Sequence, residues 1–181
     1  MAGYNIIVIS GIDGCFDEFD EFIQPFLSDC ECTKLSYNRN CSFKDNLQRF
    51  ATVIKENESN YDIVGWSIGG VAAGFLSALP NVKHVIMINP FFRRSEVLRM
   101  RNIYCEEEVA LSDVSPALAT KCIFITGRKD NKIPYTESLR IMKHFNLSQD
   151  SVNIIDSAGH ALSSFPAKSI AQIINGIWKQ C

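Results

Sequence analysis

The sequence predicts an α/β fold built on a doubly wound, mostly parallel sheet. Three observations carry that prediction. Short β-branched runs alternate with longer segments of helical period, and most of the runs are apolar at nearly every position. No repeat, low-complexity tract or Pro/Gly/Ser-rich linker divides the 181 residues. Strands covered on both faces read as continuous apolar runs, whereas half-exposed strands alternate. A chain of this length supports one sizeable core, so a single domain, 1–181, is expected.

The strand candidates are Tyr4–Ser10, Thr33–Tyr37, Tyr61–Trp66, Val82–Ile88, Cys122–Thr126 and Ser151–Ile155. Between them Phe43, Leu47, Phe50, Ala51 and Ile54 fall at helical spacing, and Ser42 with Asp45 can form a capping box. Ile170, Ile173, Ile174, Ile177 and Trp178 repeat the stripe in the last helix, where Pro166 suits the first turn. Phe19, Phe22, Ile23 and Phe26 do so less cleanly after the first strand. These stripes read as core faces. Strands alternating with helices imply right-handed crossovers, but periodicity does not give strand order.

Charge and cysteine usage exclude several classes of function. A net charge of −2 gives no reason to expect nucleic acid as a partner. The cysteines number seven, an odd count, and Cys30-Glu31-Cys32 has no second pair at zinc-ribbon spacing. No metal site is expected, and reduced thiols are. The apolar run Tyr4–Ile9 breaks at Ser10-Gly11-Ile12-Asp13, too soon for a signal peptide, and no run approaches a membrane span. The expected location is the cytoplasm.

The most informative residues are Gly65-Trp66-Ser67-Ile68-Gly69, a G-x-S-x-G between an expected strand and an expected helix. A serine on a sharp strand-to-helix turn needs small neighbours two residues before and after it. Such a turn also sets the hydroxyl at a helix N-terminus, where amides and the dipole favour negative charge. The plainer alternative is a glycine-rich turn with an N-capping serine.

A serine nucleophile needs a base. His84 starts a strand, at the wrong end of a parallel sheet, and His144 lies within the helix expected over Pro134–Phe145. His160 follows Ser151–Ile155 in a loop at the same edge as Ser67. The base in turn needs an acid to hold its tautomer. Asp130, just past Cys122–Thr126, is favoured over Asp156, which precedes His160 by only four residues. The chain order Ser67, Asp130, His160 is that of nucleophile-elbow hydrolases.

The elbow Gly-Trp-Ser-Ile-Gly-Gly, the segment Gly127-x-x-Asp130-x-x-Ile133-Pro134 and the pair Gly159-His160 resemble the α/β-hydrolase superfamily over nearly the whole chain. Within it, the compact acyl-ester hydrolases are the nearest likeness, including esterases that cleave the methyl ester of pimeloyl carrier protein. The resemblance implies a minimal six-stranded sheet of order 2-1-3-4-5-6, with the ligand crevice between strands 1 and 3. It implies oxyanion donors at the backbone amides of Ile12 and Ile68. It also places Gly11, Asp13 and Trp66 at the substrate. The family loop often begins His-Gly where this chain has Ser10-Gly11. Asp13 either disfavours anionic acyl groups or stabilises a turn with Gly14.

The usual cap is reduced to 89–121, enough for one or two short lid helices. That insert carries Phe91, Phe92, Val97, Leu98 and Met100 interleaved with Arg93, Arg94, Arg99 and Arg101. It reads either as a solvated amphipathic helix or as an apolar lid. In the second case Phe91, Phe92, Arg93 and Arg94 line the pocket and a basic rim meets an acidic acyl carrier protein or a distal carboxylate. The expected activity is hydrolysis of a small-molecule carboxylic ester or thioester through an acyl-serine, with no metal or organic cofactor. C–C bond hydrolysis or lyase chemistry on the same residues, or a binding module without catalysis, are the alternatives.

Overall fold

A computed structural model describes residues 4–38, 40–56, 59–90, 92 and 111–179, the side chains of Tyr4 and Leu111 excepted. Six strands form one sheet: β1 (Tyr4–Ile9), β2 (Cys30–Leu35), β3 (Tyr61–Trp66), β4 (Val82–Ile88), β5 (Cys122–Gly127) and β6 (Val152–Ile155). Every pairing is parallel and the spatial order is β2-β1-β3-β4-β5-β6, as the resemblance implied.

The strands are apolar on both sides because both sides are covered. Ile7, Ile9, Ile63, Val85, Met87 and Phe124 face one core, shared with the helices α2 (Phe43–Lys55), α3 (Ile68–Leu76) and α5 (Tyr135–His144). Ile6, Val8, Val64, Trp66, Ile86, Ile88 and Ile125 face the other. That second core is shared with α1 (Asp17–Phe22) and α6 (Ser169–Trp178). The period-2 alternation of a strand thus sends each neighbour to a different core. A one-turn helix, α4 (Leu118–Lys121), leads into β5. The capping box at α2 forms as expected: Ser42 Oγ accepts from the Asp45 amide at 3.0 Å, and the Ser42 amide donates to Asp45 Oδ2 at 3.3 Å.

Two expectations are corrected. The second strand is Cys30–Leu35 rather than Thr33–Tyr37. It is an edge strand, so its burial alternates and its sequence, Cys-Glu-Cys-Thr-Lys-Leu, has no continuous apolar run to mark it. Tyr37 instead leaves the sheet and is buried in the first core. Pro166 does not start the last helix: α6 begins at Ser169, after Lys168 in a left-handed conformation (φ 67°). The Pro166 carbonyl accepts from the Ser169 amide at 3.0 Å in the preceding turn.

Of the insert 89–121, residues 91 and 93–110 lie outside the described residues, and the expected lid helices with them. Among the described residues no helix is long and apolar enough to cross a membrane. No group of three His, Cys, Asp or Glu among them is placed to hold a metal ion.

Candidate active site

Ser67 sits between β3 and α3 as the N-cap of α3, with φ 55° and ψ −123°. A positive φ in a residue with a Cβ is strained and persists only where the surroundings over-determine it. Here the glycines do so. A Cβ on Gly65 would stand 2.3 Å from the Gly69 carbonyl oxygen, and one on Gly69 would stand 2.4 Å from the carbonyl oxygens of Ile9 and Ser10. The turn therefore closes against both its own helix and the end of β1. The Ser67 side chain makes no capping bond to α3, which leaves its hydroxyl free for another partner.

That partner is His160. Its Nε2 lies 3.2 Å from Ser67 Oγ, and its Nδ1 lies 2.7 Å from Asp130 Oδ2. The Asp130 side chain is 2% exposed and that of His160 is 12% exposed. The other carboxylate oxygen of Asp130 accepts from the amides of Lys132 and Ile133, each at 2.8 Å. Asp130 is thus held on both oxygens, one by its own loop and one by the imidazole. Three elements deliver these groups to one edge: Ser67 follows β3, Asp130 follows β5 and His160 follows β6. The carboxyl ends of parallel strands are where loops can converge without competing with the ladder.

The competing residues are elsewhere. Asp156 is 80% exposed and pairs with Arg128 at 2.5 Å; that pairing raises the guanidinium's pKa. His84 pairs with Asp62 at the amino end of the sheet, and His144 is exposed on α5.

Among the described residues, a cleft of about 180 Å³ is lined by Gly11, Ile12, Asp13, Glu18, Trp66, Ser67, Lys132, His160 and Ala161. Gly11, Asp13 and Trp66 thus lie at the cleft. Asp13 Oδ1 also accepts from the Cys15 amide at 3.1 Å, an Asx turn. Trp66 stacks on Phe19 (6.2 Å between centroids, 5° between planes) with the edge of Phe16 against it. Ile68 opens α3, where helix amides have no intrahelical acceptor. No acceptor among the described residues takes the amide of Ile12 or of Ile68. Ser10, standing where the family often has histidine, is fully buried, and its Oγ accepts from the Tyr37 amide at 3.0 Å, tying the loop to the chain beyond β2.

Phe92 is a correction: it belongs to the first core rather than to the cleft, and its amide donates to the buried Glu137 at 3.3 Å. Phe91, Arg93 and Arg94 lie outside the described residues. The sequence reading missed Glu18, Lys132 and Asn89. Glu18 carries only the faint signal of an acid in the first turn of a helix; its carboxylate accepts from the Leu162 amide (2.8 Å) and Ser163 Oγ (2.7 Å) beside His160. Asn89 stands before Pro90 at the end of a strand, a pattern that marks a turn but says nothing of the side chain's partners.

No family model matches the chain, and no curated protein matches it. Solved structures do. The ydeN gene product of B. subtilis aligns with 98% of this chain and 97% of its own, at 14% identity and a TM-score of 0.72. Est1E of Butyrivibrio proteoclasticus aligns over 98% and 88%, at 13% identity and TM-score 0.70. An α/β-hydrolase enzyme from the metagenome of Mar Chica lagoon sediments, Morocco, aligns over 98% and 91%, at 18% identity and TM-score 0.65. The chain has the α/β-hydrolase fold. Nothing in these likenesses singles out the pimeloyl-carrier esterases.

Proposed function

We propose that this chain is a serine hydrolase that cleaves a carboxylic ester or thioester through an acyl-Ser67 intermediate. The observation that carries the reading is the hydrogen-bonded line from Asp130 Oδ2 through both nitrogens of His160 to Ser67 Oγ. A strained, glycine-enclosed turn holds its serine end at a helix N-terminus.

In this reading His160 Nε2 takes the proton as Ser67 Oγ attacks the acyl carbon. Asp130 keeps the proton of the neutral imidazole on Nδ1 and stabilises the imidazolium that forms. The amides of Ile12 and Ile68 receive the oxyanion. The imidazolium then protonates the departing alcohol or thiol, and water activated by His160 releases the acid. Recruitment of an acidic acyl carrier by Arg93 and Arg94 is a separate proposal and rests on the sequence alone.

The test is turnover of a panel of p-nitrophenyl esters and acyl thioesters of increasing chain length by the wild type and Ser67→Ala. Saturable hydrolysis that vanishes in Ser67→Ala supports the reading. Hydrolysis equal in both proteins, or in neither, overturns it.

A further inference from the structure

We propose that Asn89 is a positioning residue for His160, acting as a bridge between the two loops that carry the base and its acid. The proposal rests on the serine-hydrolase reading above. Asn89 directly follows β4, and its amide donates to the Ile125 carbonyl at 2.9 Å, one step past the β4–β5 pairing. There the backbone turns out of the sheet at φ 44°.

The side chain is buried, with the residue 2% exposed, and its hydrogen bonds go to backbone groups at the end of β5 and in the His160 loop. Its Nδ2 donates to the Gly159 carbonyl at 2.8 Å and to the carbonyl of His160 itself at 3.1 Å. Its Oδ1 accepts from the Gly127 amide at 2.8 Å, three residues before Asp130. One planar amide thus links the start of the acid loop to the backbone of the base.

Only an amide answers this demand. A carboxylate of the same shape can still accept from Gly127, but it would set a negative oxygen against two carbonyls. A hydroxyl side chain is too short to span both loops. A left-handed φ is also tolerated by Asn better than by most residues. A second link joins the loops, the Lys129 amide donating to the Ala158 carbonyl at 2.9 Å. Loss of Asn89 therefore loosens the approach of His160 to Asp130 and Ser67 without releasing it.

The decisive variant is Asn89→Gly, because glycine accepts the positive φ and removes only the bridge. Asn89→Asp keeps the shape and the acceptor but replaces the donors with a negative oxygen facing the Gly159 and His160 carbonyls, so it checks the glycine variant rather than standing alone. The assay begins with wild-type protein and a fluorophosphonate probe. If the wild type is not labelled on Ser67, the serine-hydrolase reading fails and takes this proposal with it. With that shown, kcat and KM for a short p-nitrophenyl ester are measured for each variant at a temperature where circular dichroism reports native protein.

The proposal expects kcat to fall about tenfold to a hundredfold in both variants with KM little changed, the loss typical of slight misplacement of a reacting group. A proton NMR spectrum should also lose or shift the far-downfield signal of the His160 Nδ1 proton shared with Asp130. This second measurement stands even if one variant folds poorly, since it is read on the folded fraction of the other. An unchanged kcat and an unchanged downfield proton in Asn89→Gly would overturn the proposal. So would a loss that merely tracks the fraction unfolded while the downfield proton stays in place.

Discussion

The two ends of the sheet each carry an aspartate–histidine pair, and they are put to different use. At the carboxyl end His160 Nδ1 lies 2.7 Å from Asp130; at the amino end His84 Nδ1 lies 2.9 Å from Asp62. Distance and burial of the acid do not separate them, since both aspartates are buried. The surroundings do. Asp62 and His84 face each other across the β3–β4 ladder, and Asp62 also accepts from the His84 amide and from Trp178 Nε1 at 2.7 Å. That carboxylate fastens the end of α6 to the sheet. No hydroxyl among the described residues is hydrogen-bonded to His84, whereas His160 meets a strained serine at a helix N-terminus. On the proposed reading, an aspartate–histidine pair is a clamp or a base according to what faces the other ring nitrogen.

Exchanging one oxygen for nitrogen at each end should separate activity from stability. Asp130→Asn is expected to lower kcat about 10,000-fold, the loss seen when a triad histidine is left in the wrong tautomer. The denaturant midpoint should move little, and steady-state kinetics beside a urea titration measures both. Asp62→Asn should do the reverse. Kinetics should be unaltered, while about 1.5–3 kcal/mol of stability is lost with a hydrogen bond to a buried charge. If Asp62→Asn removed activity from fully folded protein, the contrast between the ends would be wrong.

Asp156→Asn sharpens the comparison from a third side. Its ion pair with Arg128 is 51% and 80% exposed on the two partners, so the stability change should be about 0–1 kcal/mol and turnover should persist. A loss matching that of Asp130→Asn would make Asp156 the acid. The smallest effect concerns the thiols. Burial pushes Cys122 up to about 12, so it should resist alkylation at pH 8 in the native protein while the exposed Cys15 reacts. Because the folded value lies above the ordinary 9.0, Cys122 stabilises the fold fully below pH 9.0. That contribution is lost as pH rises toward about 12, since the unfolded chain releases the proton first.

How legible the molecule was depended on which signal each part leaves. The central strands announced themselves because both faces are buried; β2 did not, because an edge strand of alternating burial hides its start at Cys30. Strand order came from the resemblance, since no periodicity encodes which strands are neighbours. Ser67 was marked by glycines that the turn sterically requires, and His160 by elimination among three histidines. Asn89 and Glu18 left almost no trace, because their partners are distant in sequence and mostly backbone: Gly127, Gly159 and His160 for one, the Leu162 amide with the Ser163 hydroxyl for the other. Backbone partners have no side-chain identity for a pattern to catch. Lys168, holding a left-handed turn before α6, likewise shows nothing that separates it from an ordinary surface lysine.

The central claim is that one hydroxyl, that of Ser67, is activated. Among the described residues, only Ser67 has an imidazole nitrogen 3.2 Å from its hydroxyl and a helix N-terminus beneath it. Incubation of the native protein with a fluorophosphonate, followed by intact-mass and peptide mapping, tests it most directly. A single adduct on Ser67 is expected, absent in Ser67→Ala and in heat-unfolded protein. An adduct on another residue, or none on the folded wild type, would contradict it.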